Sequence, residues 1–562
     1  MIRRLFRDLL SRHTDTLNQA ALILALAAVG SQVMGFFRDR LLASIVGPNG
    51  ALDIYYTAFR IPDILFVSIA SLVSVVVLVP FLTHLKKDSD DAITATNKFL
   101  SEVFSLFVYI LCGIIVLVFF LMPKLVPFIA PGFSAGMQGD VVVMSRLLLL
   151  SPLLLGLSNI FGAVSQLHKR FIIFSLGPIF YNIGIILGLL VLYPMFGMYG
   201  VVGGVLIGAG THAIIQYLSV RNIGFFPQFT IRFDWSRMRQ IVAVSLPRTL
   251  GLALSNITIT VLLSFATLWD EGAVSLFSFA NIIQSVPLSI IGLSYSVAAF
   301  PTLALMIQEN KKDEFIAHVL HAAKQIIFWS LPVTALFIVL RAHIVRVVFG
   351  STRLSWDQTK LIAAALALFV ISAVAQSLVL LFVRALYAAG KTWRPLIAGI
   401  VSFVFTISIA WLLMQNIHTP FISNIFSSFI RSTSIDIHIL ALPVAFSIGA
   451  FINILILIGL CHRLFPKTDI VPSLFWSFIE HSIAAFVAGA GAYITLVFFG
   501  SIGSLSTFWM VLLQGFVAGL AGIFCWVLVL YLIKNKEFID FSKAVHSKFW
   551  TKVVAVPEQS SL

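Results

Sequence analysis

Apolar residues in this chain run in blocks of about 20 to 35, separated by short polar gaps, and a bilayer core of about 30 Å needs roughly 20 such residues per helix. The blocks predict about fourteen membrane spans, at 17–46, 51–82, 98–122, 141–167, 172–193, 198–220, 240–268, 273–307, 316–349, 357–389, 396–416, 438–462, 471–499 and 505–533. Backbone amides in lipid must be satisfied within their own segment, so spans of this length read as helices. Several exceed the minimal length and are expected to tilt, kink or project beyond the bilayer. The predicted fold class is an all-α polytopic membrane protein.

The polar gaps alternate in charge. Arg3, Arg4, Arg7 and Arg12 precede the first span, Lys86 and Lys87 follow the second, Lys169 and Arg170 the fourth, and Arg221, Arg232, Arg237 and Arg239 the sixth. The series continues with Lys311 and Lys312, Lys391 and Arg394, Arg463 and Lys467, and Lys534, Lys536, Lys543 and Lys548, whereas the opposite gaps hold little beyond Lys124, Arg353 and Arg431. Basic loops resist translocation, so both termini are expected in the cytoplasm, which requires an even number of spans.

Composition agrees: 59% of residues are hydrophobic, and mean hydropathy is +1.02. The net charge of +14 sits in short loops beside anionic headgroups, and no nucleic-acid-binding motif accompanies it, so membrane lipids rather than nucleic acid are the expected partner. Cys112, Cys461 and Cys525 fall within or at the ends of apolar blocks and form no disulfide or metal pattern. The basic amino terminus leads into a full-length span without a small-residue cleavage site, which reads as a retained first helix.

The chain also repeats itself. Pro80 with Lys86, Lys87 and Asp88 lies opposite Pro301 with Lys311, Lys312 and Asp313, an offset of 221 to 225 residues, and SQLHKRF at 165–171 lies opposite VRALYAAGKTWR at 383–394. Two parallel six-helix repeats around a shared cavity follow, with helices thirteen and fourteen as an appendix. The expected organisation is a basic cytoplasmic segment 1–16, an amino-terminal lobe 17–220, a cytoplasmic linker 221–239, a carboxy-terminal lobe 240–462, the two extra helices 463–533 and a cytoplasmic tail 534–562.

Charges inside the first two spans are the candidate chemistry. The first contains GFFRDRLL with Arg38, Asp39 and Arg40, and the second DIYYTAFRIPD with Asp53, Arg60 and Asp63. A charge at the bilayer centre costs about 2.5 to 3.5 kcal/mol on insertion scales, so it persists where it meets a partner, water or substrate. Arg60 lies two turns beyond Asp53 on one helical face, Asp63 follows at i+3 and can pair with it, and Pro62 loosens the backbone. Asp39, Arg40, Asp53 and Asp63 are expected in structural or gating ion pairs, with Arg38 or Arg40 against Asp53. Arg38 and Arg60 are the candidates for gripping an anionic lipid headgroup, joined by Arg248 just after Pro247; Gln32 and Asn256 complete the candidate substrate-binding set.

The run GFFRDRLLASIVGPNGALDIYYTAFRIPD, followed by Pro80, resembles the amino-terminal signature of the MurJ/MviN lipid II flippases of the multidrug/oligosaccharidyl-lipid/polysaccharide exporter (MOP) superfamily. Further similarities are APGF at 130–133, KRF at 169–171 with Pro178 and Asn182, VVFG at 347–350, and LYAAGKTWRP at 386–395. The resemblance implies a V-shaped pair of six-helix lobes in a bacterial inner membrane. It also implies alternating access that moves an undecaprenyl-pyrophosphate-linked peptidoglycan precursor to the outer leaflet, with cell-envelope synthesis proteins as further partners. Arg38, Asp39, Asp53 and Arg60 carry over from the family pattern. Other positions depart from it: Ser31 is followed by Gln32 in place of arginine, Phe66, Val67, Ser71 and Leu72 replace polar and charged positions, and Ile282 and Ser285 stand where the family carries arginine and glutamate.

No enzyme, cofactor or metal constellation is present in the pattern. The 12 histidines are scattered, His318 and His321 share a helical face without a third ligand, and no Walker A sequence occurs. Glu480 and His481 are an outward or interface-facing pair by default and a proton relay as the alternative. Besides lipid II flipping, three functions stay open at this stage: flipping of another polyprenyl-linked oligosaccharide, drug antiport of the MATE kind, and a non-transporting scaffold for cell-envelope assembly.

Overall fold

The computed structural model describes residues 17–70, 92–168, 170–221, 227–430, 437–465, 470–500 and 507–549. The basic positions Arg3, Arg4, Arg7, Arg12, Lys86, Lys87, Lys169, Arg431 and Lys467, together with Pro80, Ser71, Leu72 and the end of the tail, lie outside them. Among the described residues every regular element is helical. Among the described residues eleven helices are long and apolar enough to cross a membrane, or twelve if a pair bent by 41° is one span.

The first expected span is one helix, and the described part of the second is a run of short helical segments. Helix α1 (Leu17–Ile45) is followed by α2 (Gly50–Ala58), α3 (Arg60–Leu65) and a π-helical turn at Phe66–Ala70. Asn49 starts α2: its side-chain oxygen accepts the Leu52 N–H at 3.1 Å, satisfying a donor that has no partner within the helix. Then come α4 (Ala92–Ile129), α5 (Ala135–Leu148), α6 (Leu150–Leu167) and α7 (Phe171–Leu187), the last running into a π turn at Gly188–Leu192 and a short turn at Tyr193–Phe196. The span expected at 141–167 lies in one long helix, Ala135–Gln166, within which α5 and α6 meet at Leu149 in helical backbone conformation.

Helix α8 (Met198–Arg221) lies against α7 through glycines. A Cβ on Gly184 would come within 2.3 Å of the Gly208 backbone, and one on Gly204 within 2.5 Å of Gly188, so only hydrogen side chains permit the approach. In lipid, where burying apolar surface contributes little between helices, such contact supplies the packing. Helices α9 (Trp235–Ala266) and α10 (Ala273–Pro287) follow, and Asp234 caps α9 by accepting the Arg237 N–H at 3.2 Å.

The remaining elements are a π turn at Leu288–Leu293, α11 (Ser294–Gln308), α12 (Lys312–Phe349), α13 (Trp356–Val370), α14 (Ala373–Ala388), α15 (Trp393–Gln415), α16 (Pro420–Ile430), α17 (Ala441–Leu464), α18 (Ile470–Gly500), α19 (Phe508–Leu532) and α20 (Lys536–Phe549). The bent pair is α13 with α14. Ser355 and Gln358 form a reciprocal capping box at the start of α13, each accepting the other's N–H at 3.0 and 3.1 Å.

The chain divides into two compact units. One comprises Met1–Ile282, Val348–Ala365 and Thr392–Gly449. Its interior includes a cluster of Phe99, Phe104, Phe107, Phe161 and neighbouring aliphatics, and it contains all the charged positions of α1 to α3. The other comprises Ile283–Val347, Leu366–Lys391 and Ala450–Leu562, and one of its cores joins Phe328, Ala484, Ala488, Trp526 and Leu530. His481 packs against Phe328 of that core and is fully buried, not outward-facing: its Nδ1 lies 2.7 Å from Ser477 O. The Asn535 amide donates to Glu480 at 2.7 Å while its oxygen caps α20 at Phe538 N, which ties Glu480 of α18 to the start of α20.

Candidate functional site

A cavity of about 260 Å³ opens within the first unit, lined by α1, α2, α3, α7, α9 and α10. Four charged groups face it: Arg38, Asp39, Arg60 and Asp63. Tyr55, Tyr56, Tyr181, Ser278 and Asn281 supply the remaining polar lining, and Phe59, Ile259, Leu263, Phe277 and Ile282 contribute to its apolar walls. Such a mixture suits a ligand with an anionic group and an apolar portion.

Arg38 is held on two sides. Its Nε and Nη2 both lie 2.8 Å from Asp39 Oδ1, and its Nη1 donates to Asn182 Oδ1 at 2.9 Å. Asn182 is fixed in turn, because its amide donates to Pro178 O at 3.1 Å and to Ser31 O at 3.4 Å, tying α7 to α1. Asp39 is only 3% exposed, so its charge is balanced where it stands by the adjacent guanidinium. The Arg38 side chain keeps 24% of its surface accessible and faces the cavity with orientation already determined.

Arg60 and Asp63 share the cavity differently. Arg60 Nε donates to Tyr56 O, one turn back, at 3.0 Å, and no direct ion pair joins Arg60 to Asp63. The i,i+3 spacing permits that pair, but the carbonyl of the preceding turn takes the Nε–H and turns the guanidinium along its own helix. Among the described residues the Asp63 carboxylate accepts no hydrogen bond. The buried Tyr56 hydroxyl also has no hydrogen-bond partner among them.

Asp53 lies beyond the cavity, 1% exposed. The pairing expected with Arg38 or Arg40 is not the one formed. Its carboxylate instead accepts the Gly272 N–H at 2.6 Å, the Ser275 N–H at 2.8 Å and the Ser275 hydroxyl, capping α10 from α2. An anion at a helix N-terminus satisfies free N–H groups and opposes the helix dipole favourably, so Asp53 needs no arginine. Gly272 adopts φ +96°, and a side chain there would press on Pro48 O at 2.8 Å; glycine lets the two loops meet. Arg40 donates to Val348 O at 3.4 Å.

The other candidates do not line the cavity. Gln32 is exposed on α1, Arg248 is half-buried on α9, and the Asn256 amide turns back to Leu252 O at 3.2 Å. Sequence reasoning missed the tyrosines and Ser278 and Asn281. Tyr55 and Tyr56 carry a visible signal, since two phenols beside Asp53 in one membrane span each need a polar neighbour. Ser278 and Asn281 carry none without knowledge of how α10 is rotated. Ile282 is now placed: it occupies the cavity wall, so α10 presents no cation there.

Comparison with known proteins gives the fold a context. The family profile for the lipid II flippase MurJ matches residues 42–513. A protein of Rhizobium tropici named probable lipid II flippase MurJ is 24% identical over 384 residues, which is 66% of this chain and 70% of that protein. A solved structure of lipid II flippase MurJ in an inward closed conformation superposes with a TM-score of 0.69 at 19% identity, covering 94% of this chain and 99% of the other. An inward-facing multidrug resistance MATE transporter of the MOP superfamily superposes with a TM-score of 0.59 at 13% identity, covering 80% and 95%. With the profile spanning most of the chain and the fold shared over 94% of it, the protein belongs to the lipid II flippase MurJ family, and is a multi-pass membrane transporter rather than an enzyme.

Proposed function

We propose that this chain moves lipid II, a polyprenyl-diphosphate-linked peptidoglycan precursor, from the inner to the outer leaflet of a bacterial inner membrane by alternating access. The observation that carries the reading is the placement of Arg38 and Arg60 on one cavity within this family's fold. Guanidinium groups grip phosphate oxygens bidentately, and inside a membrane such groups persist where a substrate or cavity justifies their cost. Arg248 and the polar Gln32 and Asn256 are proposed to meet substrate in another stage of the cycle. Asp39, Arg40, Asp53 and Asp63 are proposed to hold or gate the helices.

The proposed architecture comprises fourteen spans, with both termini cytoplasmic, and two parallel six-helix repeats followed by two further helices. Support for duplication comes from the start of α2 and of α10. Gly50-Ala51-Leu52-Asp53-Ile54-Tyr55 lies opposite Gly272-Ala273-Val274-Ser275-Leu276-Phe277, at the same 222-residue separation as Asp53 and Ser275. Tyr55 and Phe277, equivalent in this register, both line the cavity.

Complementation tests the function. In a bacterium depleted of its own lipid II flippase, expression of this chain should restore viability and peptidoglycan synthesis, while Arg38→Ala or Arg60→Ala at equal membrane abundance should not. A chain that reaches the membrane intact and restores neither would overturn the lipid II assignment. Rescue of another polyprenyl-linked oligosaccharide pathway would then redirect it.

A further inference from the structure

The formal charges of the cavity cancel. Arg38 and Arg60 are matched by Asp39 and Asp63, and α9 and α10 bring only Ile259, Leu263, Phe277, Ser278, Asn281 and Ile282 to the lining. A diphosphate diester carries two negative charges across the physiological range. Entering as it stands, it would give the cavity an excess of two negative charges in a low-dielectric surrounding, where uncompensated charge is costly.

The two aspartates are not equivalent in meeting this. Asp39 is bound to Arg38 at 2.8 Å and buried, so it is already spoken for by a cation. Asp63 has no ion pair and accepts no hydrogen bond among the described residues, although it faces the same space as Arg60. The other groups that titrate or carry charge on this lining are Arg38 from α1, Tyr55 and Tyr56 from α2, Arg60 from α3 and Tyr181 from α7. A phosphate drawn to Arg60 therefore comes up against the Asp63 carboxylate one turn farther along.

We propose that Asp63 is a proton acceptor of the transport cavity, and that the chain takes up one proton when it binds a lipid-linked diphosphate. The inference rests on the proposed flipping of lipid II and identifies what accompanies the substrate. The carboxylate gains a proton from the water in contact with the cavity, becoming a neutral acid whose O–H can donate to a phosphate oxygen. Its repulsion is replaced by a hydrogen bond, and Arg60 is left to the diphosphate. Release of the lipid on the other side restores the carboxylate and returns the proton to water there.

Binding of a farnesyl-chain lipid II to the purified full chain in nanodiscs tests this, since its diphosphate diester does not titrate between pH 6 and 8. One linked proton strengthens binding by up to about tenfold per pH unit as pH falls. The wild-type chain should bind more tightly at pH 6 than at pH 8 by roughly tenfold or more. Asp63→Asn, which keeps the shape of the neutral acid, should bind with the wild-type's pH 6 affinity at both pH values. Asp63→Ser should also lose the pH dependence, which guards against one variant misfolding.

Wild-type binding that is equally tight at pH 6 and pH 8 overturns the proton while leaving the flippase reading intact, as does a pH dependence that survives in both variants. Binding that tightens with sodium at constant pH, and does so only while Asp63 is present, also overturns it and assigns the position to a metal cation. Failure of the wild type to bind the lipid at any pH overturns the flippase reading itself.

Discussion

Asp53 and Ser275 stand 222 residues apart in the chain and hydrogen-bond to each other through both the backbone N–H and the hydroxyl of the serine. One carboxylate from the start of α2 thereby caps the start of α10. Replacing Asp53 by alanine leaves the buried N–H groups of Gly272 and Ser275 without that acceptor, at a cost of about 1 to 3 kcal/mol. Asp53→Ala should lower the melting temperature of the detergent-solubilised protein. Ser275→Ala should lower it less, because both backbone donors keep their partner. Equal melting of Asp53→Ala and wild type would show that this cap contributes nothing to stability.

Asn182 is expected to act on substrate through Arg38, without touching it. A hydrogen bond to a charged group contributes about 1.5 to 3 kcal/mol, so Asn182→Ala should weaken diphosphate-lipid binding by roughly tenfold or more by freeing the guanidinium to swing toward Asp39 alone. Arg38→Lys keeps the charge but not the fork of donors and should retain part of the binding that Arg38→Ala abolishes. Titration with farnesyl-chain lipid II, alongside melting curves, separates lost positioning from lost folding. Unchanged binding in Asn182→Ala would show that Asp39 alone orients Arg38.

Close helix contact in lipid gives the strongest stability prediction. A methyl group on Gly208 would meet Tyr181 O at 2.5 Å, and one on Gly204 would meet the Gly188 backbone, so neither helix can yield without separating. Overpacking of this kind costs typically about 1 to 3 kcal/mol. Gly208→Ala and Gly204→Ala should each reduce monodisperse recovery on size exclusion, while Gly210→Ala, where a Cβ meets nothing within 4 Å, should behave as wild type.

Orientation is testable with thiols. Cys112, Cys461 and Cys525 are free, so a cysteine-free background needs only three substitutions. Single cysteines at Lys311 and Lys391 are predicted to be shielded from an impermeant thiol reagent in intact cells, and one at Arg353, in a sparsely charged gap, to be labelled. The reverse pattern would invert the topology.

Much of this protein was legible before any fold was known. The membrane class follows from block length alone, because lipid leaves the backbone no partner but its own helix. The carriers of the candidate chemistry, Arg38 and Arg60, were visible because charge in an apolar block is costly enough to demand a reason. Family resemblance was readable in the run around Asp53 because that segment contains a helix start, a cap and a cavity wall within a few residues.

Which charge meets which was not legible. Spacing placed Asp63 within reach of Arg60 and left Asp53 to seek an arginine. The folded chain instead pairs Arg38 with its neighbour Asp39, turns Arg60 to the Tyr56 carbonyl and gives Asp53 to the amides of a helix 222 residues away. Likewise, nothing in the composition of α9 and α10 foretold that Ile259 and Ile282 would face the cavity while Arg248 and Asn256 would not line it. Local sequence determines helices, caps and the energetic cost of each buried charge. The partner that meets that cost depends on how distant helices are rotated against one another, and only tertiary packing decides that.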